Sequence, residues 1–328
     1  MLKKQILIIL LLFAALLSVA QNKTLISKTQ EPVSYATISF GNGNGLFADD
    51  MGKFYFTKKL YKDIDTLYIS AVGYNDLKLP TIDLSSTIVM ESKVDKLQEV
   101  IIKNKPKGPF KIKKIKPTTH EDYYKCWLPT VESEIAVFFE NNSQETKRLT
   151  KLKIPIKVEA KAWRKRNKAN SKKRAFSTLF KVNFYENNNG LPGDVLTYDK
   201  VIFVATEKNE KIYELDVKPF DIYVPKSGIF ISLQVLGYTD AKGKLLPSKK
   251  YQEIKTKRGT VKVSTTFRPL LPFTDKIEEK RTFVKRIFLN DGKWVLYDRQ
   301  NINKSKLLLE GLNNYGIGLE MEVYKKEE

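Results

Sequence analysis

Between residues 24 and 102, apolar and polar side chains trade places at every second position, in runs too short for a helix. Residues 33–40, Val-Ser-Tyr-Ala-Thr-Ile-Ser-Phe, alternate as a strand with one face toward a core requires. Gly41-Asn42-Gly43-Asn44-Gly45 and Asp49-Asp50-Met51-Gly52-Lys53 have the chemistry of turns. Strands are predicted at 54–56, 65–70, 86–90 and 99–102. This spacing, without a helical period, argues a small β-sandwich over 21–102.

The pattern then breaks. Pro106, Pro109 and Pro117 stand among seven lysines between 103 and 117, so 103–119 reads as an extended, charged linker. From 120 the strands resume and lengthen: 135–139, 152–162, 180–185, 201–205, 221–224, 229–236, 281–289, 294–297 and 319–324. The runs 152–162 and 180–185 read as the arms of one long hairpin, whose tip is nearly all Lys, Arg, Asn and Ser. Residues 238–272 are polar and turn-rich, with one short strand at 261–264. The fold class expected is all-β: a smaller sandwich first, then a larger, jelly-roll-like one over 120–328.

The first twenty residues follow another rule. Lys3 and Lys4 precede an apolar run from 6 to 19, and Ser18-Val19-Ala20 offers small residues before the polar Gln21-Asn22-Lys23. That layout predicts a signal peptide over 1–20. The run is short of the ~20 residues that cross a membrane core.

Charge narrows the partners. The 328 residues carry a formal charge of +21, which draws an exported protein toward anionic lipid, acidic polysaccharide or nucleic acid. Solubility is the plainer account of the same surplus. The densest cations lie at the predicted hairpin tip: Arg164, Lys165, Arg166 and Lys168, then Lys172, Lys173 and Arg174, with Trp163 at the edge to stack on a sugar or base. These eight residues are the candidate contacts for an anionic ligand, against the alternative of a solvated tip.

Candidate chemistry is sparse. The chain has one cysteine, Cys126, and one histidine, His120. They cannot supply a zinc site or a Ser-His-Asp machine, and Cys126 beside Trp127 reads as a buried, inert thiol. Asp49 and Asp50 suit calcium, but turn chemistry accounts for them. Glu132 and Glu134 are spaced to share one face of a strand, and as a catalytic pair they would need a cleft. No catalytic, cofactor-binding or metal-binding residue is predicted.

Four runs in the first domain carry a resemblance: Pro32-Val33-Ser34-Tyr35-Ala36-Thr37-Ile38, Asp50-Met51-Gly52-Lys53-Phe54, Asp65-Thr66-Leu67-Tyr68-Ile69-Ser70-Ala71-Val72-Gly73-Tyr74 and Leu97-Gln98-Glu99-Val100. In this order they resemble the carboxypeptidase regulatory-like domain. The resemblance implies a seven-stranded, transthyretin-like sandwich without peptidase chemistry, at the front of an exported Gram-negative envelope protein. In the second domain, Phe184-Tyr185, Gly190-Leu191-Pro192-Gly193-Asp194-Val195-Leu196, Asp221-Ile222-Tyr223-Val224-Pro225 and Gly228-Ile229-Phe230-Ile231 resemble a β-sandwich that follows this module in exported proteins of unassigned function. Pro192-Gly193 reads as its turn.

The expectation is a non-enzymatic binding or interaction module of the periplasm or outer membrane. It would use no cofactor, and its partner would be an envelope protein or an anionic polysaccharide. Peripheral membrane contact stays open and nucleic acid is disfavoured. Two rivals remain: an envelope carbohydrate-active enzyme using carboxylates of the second domain, and a structural spacer in an outer-membrane complex.

Overall fold

The computed structural model describes residues 22–93, 106, 108–162, 171–209, 211–247, 251–256, 259–288 and 292–325. Its backbone divides into two units, 1–95 with 288–290, and 96–287 with 291–328. Strands dominate both, as the alternation predicts. The predicted signal peptide and the strand at 99–102 lie outside the described residues.

Among the described residues, the first unit is a sandwich of seven short strands. One sheet joins β1 (Asn22–Ser27), β4 (Lys53–Tyr55) and β7 (Thr87–Met90); the other joins β2 (Thr37–Ser39), β3 (Gly45–Phe47), β5 (Thr66–Ser70) and β6 (Leu77–Pro80). Leu25, Phe54, Ile88 and Met90 from the first sheet meet Ile38, Leu67 and Ile69 from the second in one buried cluster. Burying each stabilises by about 1.5–3 kcal/mol relative to exposure. The predicted strand at 33–40 is shorter than its alternation suggests, because Tyr35 takes a left-handed φ of 55°. Asp49 is spent on its turn: Oδ1 accepts from the backbone N–H of Met51 at 3.0 Å and Lys53 at 2.8 Å. Gly52 has φ 70°, and a Cβ there would stand 2.3 Å from the Leu25 carbonyl oxygen. Phe288, remote in sequence, belongs to this unit. It is fully buried, accepts a 2.6 Å bond from Ser39 Oγ, and packs its ring 5.2 Å from that of Phe47.

The second unit opposes two larger sheets. A seven-stranded sheet contains β10 (Ser133–Phe139), β12 (Ser177–Asn188), β13 (Leu191–Val195), β14 (Val201–Thr206), β16 (Ile229–Tyr238), β20 (Thr282–Arg286) and β21 (Val295–Leu296). The order is β13-β12-β16-β10-β20-β21, and β14 pairs the first half of β12. A four-stranded sheet runs β15 (Ile212–Asp216), β11 (Thr146–Pro155), β23 (Gly318–Tyr324), β8 (Phe110–Ile115). Its inward side chains, Leu149, Leu152, Ile154, Leu319 and Met321, are buried. The sheets touch where Phe203 of β14 lies 4.5 Å from Tyr213 of β15, ring to ring. A small strip of β9 (Cys126–Trp127), β19 (Leu271–Thr274) and β22 (Asn314–Tyr315), and an exposed hairpin of β17 (Tyr251–Thr256) and β18 (Gly259–Ser264), complete the unit with one helical turn at Lys306–Leu309.

Four expectations need correction. Part of the supposed linker is structure, since β8 pairs with β23 along its whole length. Its residues are mostly exposed on an edge strand, so backbone pairing holds it rather than burial. The long hairpin does not form: the strand read at 152–162 is β11, ending at Pro155, and it lies in a different sheet from β12. Among the described residues a short neck joins the two segments, with Lys161 N–H on Lys172 O at 2.7 Å and Arg174 N–H on Glu159 O at 2.9 Å. Residues 221–224 are no strand: Asp221 ends a short helical turn in the left-handed region. Finally, the turn before β13 is at Asn189 and Gly190, with φ of 52° and 86°, and Pro192-Gly193 sits within the strand. That strand lies at a sheet edge, where proline is tolerated.

Candidate functional site

Side chains on a strand point alternately to the two faces, so β16 presents two chemistries. Ile229, Ile231, Leu233 and Val235 enter the sandwich core, while Phe230, Ser232 and Gln234 face outward. The registers extend that outer face into rows. One row reads Lys181, Gln234, Glu134, Lys285 across β12, β16, β10 and β20. The next reads Asn183, Ser232, Ala136, Phe283, Leu296, and a third reads Val195, Tyr185, Phe230, Phe138. The face therefore has a polar end and an aromatic end.

Glu134 is the hub of the polar end. It is 2% exposed. Its Oε1 accepts from Asn183 Nδ2 at 2.8 Å, Tyr185 Oη at 2.8 Å and Ser232 Oγ at 2.5 Å, and Oε2 pairs with Lys285 Nζ at 3.0 Å. Burial alone would raise this carboxyl, but Lys285, Ser232 and Asn183 outweigh it and hold the group below the usual carboxylate range. Burial, and then the Glu134 charge, push Tyr185 well above the usual phenol range, so it stays a donor.

Above this buried layer stand half-exposed groups. Lys285 Nζ lies 4.6 Å from the ring centroid of Trp294 and 5.7 Å from that of Tyr185, whose ring meets Trp294 edge-on at 5.7 Å. Glu134 thus sets Lys285 and Tyr185, and those two set the indole. Lys181 is mostly covered, and burial draws its ammonium down to about 8 against the opposing pull of Glu134. The arrangement suits holding a polar ligand from above. Acid–base cleavage is a poor fit, because the buried carboxylate at this end of the face is ionised and bonded at both oxygens.

The residues singled out from sequence fare differently. Trp163, Arg164, Lys165, Arg166 and Lys168 lie outside the described residues. Lys172 and Lys173 are exposed, whereas Arg174 is tied to Glu159, 3.2 Å from Nε, with Arg268 on the same carboxylate at 2.6 Å. Glu132 and Glu134 do not act as a pair: Glu132 goes to Arg286 at 3.6 Å and Glu134 to Lys285. His120 Nε2 lies 3.0 Å from Lys125 O and 2.7 Å from Phe273 O. Burial pushes the Cys126 thiol up to about 12, the reverse of an activated nucleophile. Among the described residues no group of three or more His, Cys, Asp or Glu could hold a metal ion.

A second charged knot lies on the four-stranded sheet. Glu322, also 2% exposed, takes Lys218 at 2.7 Å, Tyr324 Oη at 2.7 Å and Arg148 at 3.5 Å, and Arg148 also pairs with Asp221. These contacts tie β11 and β23 to the 218–221 turn. The Glu134 face went unnoticed in sequence, although Ile-Ser-Leu-Gln-Val over 231–235 places two polar residues with the same parity inside an apolar strand.

No family model matches the chain, and no curated protein matches it. A solved structure of the cysteine protease and lectin-like domains of Cwp84, a surface layer associated protein of Clostridium difficile, is similar over 58% of this chain and 32% of that one, at 10% identity and a TM-score of 0.31. The chain thus spans about a third of that protein's length, and a likeness at this level carries no argument about function.

Proposed function

We propose that this chain is an exported, non-enzymatic binding protein of the cell envelope that holds its ligand on the outer face of the seven-stranded sheet. The observation that carries the reading is the two-layer build of that face. A fully bonded polar layer around Glu134 fixes the half-exposed Lys285 and Trp294 above it. Groups held this way are preorganised, so little ordering remains to be done on binding. An indole beside ammonium groups is suited to a saccharide, whose C–H face stacks on the ring while its polar groups meet the cations. The first unit, by its resemblance, serves as a carboxypeptidase regulatory-like module at the front of the exported chain.

The rival reading as a carbohydrate-active enzyme is disfavoured by Glu134 and Glu132, each paired with a base. The test is tryptophan fluorescence against a panel of envelope oligosaccharides, with product analysis on the same samples. Saturable quenching without cleavage, lost in Trp294→Ala, is the expected result. Cleavage that disappears in Glu134→Gln would overturn it.

A further inference from the structure

Lysines in the interior of the second unit have partners. Lys147 Nζ lies 2.6 Å from Asn141 Oδ1, Lys153 sits 3.8 Å from Glu214 and 3.5 Å from Glu320, and Lys157 pairs with Glu121. Lys285 has Glu134. Lys181 forms no ion pair among the described residues. It stands on the ligand face in the same row as Glu134, with Gln234 between them, and most of its surface is covered. Glu134 cannot satisfy it, since both carboxylate oxygens are already bonded to other side chains. Glu134 favours the charged form of Lys181, and the cations Lys285 and Lys200 oppose it.

A largely covered ammonium without a counter-ion is costly to keep unless something anionic meets it. Trp294 lies beside Lys285 on the same face and adds an aromatic surface. We infer that the ligand is an anionic saccharide whose acidic group is taken by Lys181 while its ring lies against Trp294. This rests on the outer face being the binding surface and adds the charge of what binds there. A carboxylate and a sulfate ester meet an ammonium in the same way, so both kinds of acidic sugar belong in the test.

The experiment is calorimetric titration of the full chain, at physiological salt, with a galacturonic acid trisaccharide, a sulfated trisaccharide and the uncharged parent trisaccharide. Wild type is expected to bind at least one acidic sugar about tenfold or more tightly than the neutral parent. Lys181→Met removes that preference, bringing acidic and neutral affinities within about twofold of each other; Lys181→Gln, which keeps a polar tip, does the same if the methionine variant folds poorly. Trp294→Ala weakens every sugar that binds. Equal affinity for acidic and neutral sugars, or a preference that survives both Lys181 variants, overturns the inference. If Trp294→Ala still weakens binding in that case, the face stands as the binding surface and only its charge preference falls. If no sugar binds, or Trp294→Ala changes nothing, the binding face itself is wrong and the inference falls with it.

Discussion

Replacing Glu134 by glutamine keeps the shape of the hub and removes its charge. Asn183, Tyr185 and Ser232 retain an acceptor, but each of those bonds loses its charge assistance. Lys285 loses its anion and faces an amide N–H₂. Breaking a buried pair by deleting one partner costs about 3–5 kcal/mol. Here the Lys285 side chain keeps 21% exposure and can turn partly to water, so about 2–4 kcal/mol is expected. All three tryptophans, Trp127, Trp163 and Trp294, fall in the second unit. Urea unfolding followed by tryptophan fluorescence therefore reports that unit selectively within the full chain. With a slope near 2–3 kcal/mol per molar, the midpoint should fall by about 1 M. The double variant Glu134→Gln, Lys285→Met removes the stranded ammonium and should recover about half of the loss. Acid supplies a sign check. The folded-state pKa is lowered, so the carboxylate stabilises above the ordinary range and that contribution fades as pH falls through its folded value. The difference between wild type and Glu134→Gln must therefore shrink in acid. A single variant within about 0.5 kcal/mol of wild type at neutral pH, or a gap that widens in acid, refutes Glu134 as the hub.

Other expectations follow from single contacts. Lys181→Met should raise the urea midpoint of the second unit at neutral pH: a shift from 10.5 to about 8 is at most about 3 kcal/mol, and about 1–2 after allowing for its partial exposure. Because the folded state binds that proton less tightly, wild-type stability should rise between pH 8 and 10.5 while the variant's does not; a destabilised variant contradicts the assignment. Phe288→Ala should cost the first unit about 3–5 kcal/mol, seen in calorimetry as a lower transition that leaves tryptophan fluorescence unchanged. Cys126, buried with its thiol pushed up to about 12, should resist a thiol reagent at pH 8 until the chain is unfolded. Rapid modification of folded protein would rule that burial out.

The strands most legible in the sequence are those that feed a core. β10, β12, β16 and β23 are buried along most of their length, and their apolar runs mark the strands directly. Where a strand is exposed on both faces, the pattern fails. β8 is mostly exposed and lysine-rich, so it reads as linker although its backbone is paired throughout. Both strands of the β17–β18 hairpin are solvent-facing, and only the second was anticipated. The hub is illegible for another reason. Glu134 depends on residues 49 and 98 positions away for two of its donors, at Asn183 and Ser232, and alternation says nothing about which strands become neighbours. The acidic pair at 132 and 134 looked like a unit because it is close in sequence, but register sends its members to Arg286 and Lys285.

The central claim is that ligand sits on the outer face of the seven-stranded sheet, and backbone amide chemical-shift mapping of the full chain with a saturating acidic trisaccharide tests it most directly. The account predicts the largest changes in β10, β12, β16 and β20 around Lys181, Glu134 and Lys285, together with the Trp294 indole N–H. Changes confined to 171–174 and the basic stretch before it, with that sheet silent, would contradict it.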